Sequence, residues 1–130
     1  MTPEVCFLKD PEAVGLRAAS IFKYRSKIAV ASKGRFSVAV SGGLTPLRLH
    51  ETLGSTFRKD ISRDRTEIFW ADERCVPPDH EDSNYKRVHD ALLSRIDMIW
   101  ASLKIPDTEK TIIRQAFLSS ACRAVQDRLL

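Results

Sequence analysis

At 130 residues, 43% of them hydrophobic and 29% charged, residues 1–130 have the apolar content for a single domain with its own core and too little length for two. The net charge of +4 suits an anionic partner, but the basic residues alternate with acids, as in Arg58-Lys59-Asp60 and Arg63-Asp64-Arg65; no basic stripe or RNA-binding signature stands out, which argues against nucleic acid. The apolar runs are too short to span a membrane, the N-terminus lacks a basic start and apolar stretch, and Cys6, Cys75 and Cys122 form no C-x-x-C, so a soluble cytoplasmic protein with reduced thiols is expected.

Val5 to Leu8 is a short apolar run that reads as a first strand. Asp10-Pro11-Glu12 then supplies an N-cap, a first helical position and an acid in the first turn. Val14, Ala18, Ile21, Phe22, Ile28 and Ala29 fall broadly on one face of the helix that follows, and Gly34 stands where a C-terminal glycine belongs. Gly15 is a weak point in its first turn, costing about 1 kcal/mol relative to Ala.

Phe36 to Val40 has the composition of a strand covered on both faces and runs into Ser41-Gly42-Gly43. Thr45 can cap, and Pro46 can open, a helix reaching about Leu53 with Gly54 as its terminator. Thr66 to Ala71 is the next strand, its Ile68-Phe69-Trp70 core again suggesting burial. Strand, helix and strand make a βαβ unit, so the two strands should be parallel. Their carboxyl ends then share one sheet edge, and Ser41-Gly42-Gly43 should emerge beside Asp72-Glu73-Arg74.

Beyond a Pro77-Pro78 loop, Ser83 can cap a helix with apolar positions Tyr85, Val88, Leu92 and Ile96, ending near Asp97. Met98 to Ile105 reads as another short strand. From Asp107, Ile113, Ala116, Phe117, Ala124, Val125 and Leu129 mark a final amphipathic helix.

The chemistry concentrates at the shared edge. A glycine turn between strand and helix offers unpaired backbone N–H groups at a positive helix end, and two glycines let the chain approach an anion closely; an ordinary tight turn is the competing account. The P-loop lysine and the third glycine of a dinucleotide fingerprint are both missing, so a nucleotide is a poor candidate. Arg74 can offer a phosphate a bidentate fork, or simply pair with Glu73 or Asp72. Asp72 can orient a ligand hydroxyl, hold Arg74 or act as a base. His80 has Asp79 and Asp82 nearby but no second histidine at ligand spacing, so no metal is expected; His50 and His89 lie in helices without a paired nucleophile.

Taken together, V-A-V-S-G-G-L-T-P and F-W-A-D-E-R-C-V-P-P-D-H-E-D-S-N-Y resemble the N-terminal half of the 6-phosphogluconolactonases, in the superfamily that also holds the glucosamine-6-phosphate deaminases. The deaminase strand end is typically D-E-Y, and Arg74 with Ser83-Asn84-Tyr85 favours the lactonase branch. The resemblance implies a three-layer, mainly parallel, Rossmann-like α/β sheet and hydrolysis of 6-phosphoglucono-1,5-lactone in the oxidative pentose phosphate pathway, with no cofactor. Ser41, Gly42, Gly43, Thr45, Arg74 and Asn84 are the implied sugar-phosphate contacts, with Asp72 in support. The family's catalytic histidine sits in a G-x-D-G-H-T-A-S-type segment that this sequence does not contain, and family members run to about twice this length. A truncated or inactive chain that holds substrate is therefore expected. The alternatives are a non-catalytic binding or interaction module and an amino-sugar-phosphate deaminase or isomerase.

Overall fold

The computed structural model describes residues 2–74, 76–97 and 103–104; of the strand expected over Met98 to Ile105 only Leu103–Lys104 is described, as a strand, and the helix expected from Asp107 lies outside the described residues. Helix α1 spans Pro11–Lys33. Its start follows the sequence grammar: the Asp10 carboxylate accepts the Ala13 N–H at 2.7 Å, and Pro11 stands where no intrahelical donor is needed. Gly34 ends it at φ 74°, a left-handed conformation that costs a side-chain-bearing residue about 1 kcal/mol or more.

The buried face of α1 differs from the one expected. Val14, Ile21 and Ile28 are exposed, whereas Gly15, Ala19 and Ser26 are buried and Phe22 packs against the core. Small residues win this face because α2, spanning Leu47–Gly54, approaches so closely that a Cβ on Gly15 would sit 2.7 Å from the Arg48 Cβ. The glycine that weakens the helix locally is what lets the two helices pack. Val5 to Leu8 forms no strand; Phe7 is 93% exposed, and among the described residues no strand pairs with this run.

Strands β1 (Phe36–Val40) and β2 (Thr66–Trp70) pair in parallel, Val40 opposite Trp70, and a short β3 (Leu103–Lys104) continues the parallel sheet in the order β1-β2-β3. Burial along β2 alternates: Thr66, Ile68 and Trp70 face the helices, while Phe69 is 40% exposed on the opposite face. Ser37 and Ala39 of β1 are exposed too. Among the described residues one sheet face is therefore covered, where the sequence suggested two. The covered face rests on α1, on α2 and on a helix, α3, that runs from Asn84–Val88 through a π-helical stretch, His89–Leu93, to a last turn, Ser94–Ile96. Tyr85, Val88, Leu92 and Ile96 are all buried, as their spacing predicts, joining Val40, Leu53, Ile68 and Trp70 in one core. Each such side chain contributes about 1.5–3 kcal/mol on leaving water. None of the described helices is long and apolar enough to cross a membrane.

Candidate anion site at the carboxyl edge of the sheet

Parallel pairing places the ends of β1 and β2 side by side, and the ladder extends one step past both, the Ala71 N–H donating to the Val40 carbonyl at 2.9 Å. Ser41 and Asp72 thus leave the sheet together. This is the juxtaposition expected from the βαβ reading, and its cause is the strand direction alone.

On the β1 side the chain turns through Ser41 to Pro46 into α2. The helix begins at Leu47 with Pro46 at its N-cap and no side-chain cap, so Thr45 is an exposed turn residue and the helix starts one position later than predicted. The N–H groups of Gly42, Gly43 and Leu44 donate to no group among the described residues. Gly42 is buried, and a Cβ there would lie 2.4 Å from the Asn84 Cα; a Cβ on Gly43 would find nothing nearer than 3.9 Å. The two glycines do different things: Gly42 lets the turn lie against α3, while Gly43 keeps an open approach. Gly54, expected as a helix terminator, is itself a close-approach residue, its missing Cβ making room for the Ala91 carbonyl.

On the β2 side Glu73 organises the geometry. Its Oε1 accepts the N–H groups of Arg74 and Asn84, each at 2.7 Å, and its Oε2 accepts the Tyr85 N–H at 2.7 Å and the Ser83 hydroxyl at 3.4 Å. Ser83 in turn caps α3 through the Lys86 N–H at 3.2 Å. One carboxylate therefore satisfies the leading donors of α3 and fixes the backbone of Arg74, its charge matched to the positive helix end. Sequence reasoning cast Glu73 only as a possible partner for the Arg74 side chain. The contact spans a proline loop of no regular periodicity, and nothing local to Glu73 signals it.

Arg74 is exposed, and among the described residues its guanidinium makes no ion pair, so pairing with Glu73 or Asp72 is not seen. Asp72 is exposed as well. Asn84 is buried behind this surface, its amide donating to the Asp72 carbonyl at 3.2 Å while its Oδ1 meets no donor among the described residues. Ser41, Gly42 and Gly43 thus follow one strand end and Asp72 and Arg74 the other, with Asn84, against Gly42 and bonded to the Asp72 carbonyl, joining the two; Thr45 lies farther along the turn, exposed.

The histidines are placed for other work. His80 Nδ1 accepts the Asp82 N–H at 3.1 Å, and His89 Nδ1 lies 3.2 Å from the Asp90 carboxylate. Among the described residues no three His, Cys, Asp or Glu side chains come together as metal ligands. His50 is 2% exposed, with Nε2 2.9 Å from the Ser41 carbonyl. A carbonyl can only accept, so Nε2 carries the proton and Nδ1 is bare, buried and, among the described residues, without a donor. Tyr85, packed against Trp70 and His89, is a neutral phenol, its pKa pushed up to about 12 by burial and then by the Asp90 charge.

Burial holds the His50 imidazole below its ordinary pKa of 6.5, with the Ser41 bond opposing the shift. An unfolded chain takes up this proton near 6.5 while the folded one refuses it, so stability falls as pH drops below that value toward the depressed folded pKa. Urea midpoints are accordingly expected to decrease between pH 7.5 and 5.5, and His50→Gln should remove part of that decrease. A pH dependence identical in the two proteins would contradict the assignment.

The family model described as glucosamine-6-phosphate isomerases/6-phosphogluconolactonase matches residues 9–129. Among curated relatives, a 6-phosphogluconolactonase of Nostoc sp. is 36% identical over 75% of this chain and 40% of its own length. One of Treponema pallidum is 31% identical over 93% of this chain and 46% of its own length. A crystal structure of a 6-phosphogluconolactonase from Shewanella baltica superposes with a TM-score of 0.63 at 33% identity, covering 76% of this chain and 40% of that one. The chain therefore spans less than half the length of each of these three proteins.

Proposed function

The chain belongs to the glucosamine-6-phosphate isomerase/6-phosphogluconolactonase family, and from that premise we propose that its sheet edge is the phosphate-holding part of a 6-phosphogluconolactonase site. The observation that carries this reading is that, among the described residues, the N–H groups of Gly42, Gly43 and Leu44 donate to no group and the Arg74 guanidinium, in the segment that follows the adjacent strand, makes no ion pair. Backbone donors and a planar fork together suit a phosphate monoester, which offers several acceptor oxygens and two negative charges. Ser41 and Thr45 add hydroxyls at the rim, Asn84 supports the turn from behind, and Asp72 faces the bound sugar.

Held at its phosphate, a 6-phosphoglucono-1,5-lactone is anchored far from its carbonyl, and that binding energy orients the ring for attack by water. Hydrolysis also needs a base. His50 is buried and bonded to Ser41, and neither it nor His80 nor His89 lies in a G-x-D-G-H-T-A-S-type segment, which residues 1–130 do not contain. The 130 residues accordingly hold substrate and hydrolyse it slowly at best.

A lactone-hydrolysis assay tests the reading. Turnover barely above the spontaneous rate is expected, with sugar-phosphate binding weakened at least about tenfold by Arg74→Ala and recovered only in part by Arg74→Lys, which restores charge without the fork. Turnover matching that of a full-length family enzyme would overturn the holding role, and a preference for glucosamine 6-phosphate would move the chain to the deaminase branch.

A further inference from the structure

We infer that His50 is a positioning residue that sets the Ser41–Gly42 peptide for anion binding. The inference rests on the proposed reading of the β1–α2 turn as the phosphate site and adds the device that aims it. In a trans peptide the carbonyl and the N–H of one unit point in opposite directions, and no peptide of the described residues is cis. The Ser41 carbonyl and the Gly42 N–H belong to the same unit. When His50 Nε2–H draws that carbonyl toward α2 at 2.9 Å, it turns the Gly42 N–H away from the imidazole, where it donates to no described group.

The imidazole can hold this direction because it is itself immobile. His50 is buried, and α2 is anchored around it by Leu53, 1% exposed, and by Gly54 against the Ala91 carbonyl. Gly42 is meanwhile confined on its other side by Asn84. Without the imidazole the Ser41 carbonyl would lose its hydrogen bond, and a peptide next to glycine rotates readily. A flipped Ser41–Gly42 unit would present a carbonyl oxygen where an anion needs a donor. A neutral donor suits the position, since a lysine or arginine would bury an unpaired charge there.

Titration of the 15N-labelled chain with inorganic phosphate tests this. The Gly42 and Gly43 amide resonances of the wild type are expected to move on saturation, phosphate affinity to fall about three- to tenfold in His50→Leu, and His50→Gln, which keeps a donor, to stay within about twofold of wild type. The imidazole spectrum of the wild type should show its proton on Nε2. Unchanged affinity in His50→Leu, a His50→Gln chain as weak as a chain without a donor, or a proton on Nδ1 overturns the assignment. If His50→Leu does not fold, the His50→Gln affinity and the wild-type tautomer decide. A wild type whose amides ignore phosphate overturns the anion reading and the role of His50 with it, whereas a normal wild-type response unaffected by His50→Leu overturns the role alone.

Discussion

Glu73→Ala is expected to destabilise the chain by about 2–4 kcal/mol and to abolish measurable sugar-phosphate binding. The carboxylate receives three backbone N–H groups at 2.7 Å and a hydroxyl at 3.4 Å, and Asn84 and Tyr85, which supply two of those donors, are themselves buried. Removing it leaves donors at the start of α3 without an acceptor, and losing hydrogen bonds to a charged group costs more than losing neutral ones. The same bonds fix the Arg74 backbone, so stability and binding fall together. Glu73→Gln should recover little, because one oxygen cannot serve both sides and the amide N–H groups would face donors. Glu73→Asp is one methylene short of the same contacts. Urea unfolding measures the first effect and calorimetric titration the second; a Glu73→Ala chain of wild-type stability would show that the carboxylate is dispensable.

Gly42→Ala should separate packing from ligand approach when set beside Gly43→Ala. At Gly42 a methyl group would lie 2.4 Å from the Asn84 Cα and Cβ and 2.5 Å from its backbone oxygen, atoms that cannot swing aside as the end of a flexible side chain can. Overpacking of this kind costs about 1–3 kcal/mol. Relief requires the turn to move off α3, which also displaces the N–H groups proposed to hold phosphate. At Gly43 neither clash nor backbone conformation forbids a methyl, since the nearest atom is 3.9 Å away and φ is not positive. Gly43→Ala should therefore keep its stability and lose affinity only, because a Cβ would stand where the anion approaches. Equal stability losses at the two positions, measured by thermal unfolding, would contradict this division of labour.

Much of the fold was legible because the signals were local. Asp10, Pro11 and Gly34 bound α1, Ser83 caps α3, and the strand–turn–helix–strand order dictates two parallel strands with their ends together. Contacts made at a distance were not. The apolar stripe of Val14, Ile21 and Ile28 pointed to the wrong face of α1, because close helix packing selected Gly15 and Ala19 over larger side chains. Glu73 was missed because its partners at the start of α3 lie ten to twelve positions downstream, and His50 because a lone histidine in a short helix carries no sign of what lies opposite it. The glycines were recognised as important, yet Gly42 meets Asn84 where a ligand was expected to need the space. Nothing in the spacing of Ser41-Gly42-Gly43 distinguishes those two uses.

The central claim is that this sheet edge holds a phosphorylated sugar through the β1–α2 turn and Arg74. Isothermal titration of the wild-type and Arg74→Ala chains with 6-phosphogluconate at pH 7.5 tests it most directly. Wild type is expected to bind with a Kd of about a millimolar or tighter, and Arg74→Ala at least about tenfold more weakly with its fold intact. Heats of binding that are absent in the wild type, or identical in the two chains, would contradict it.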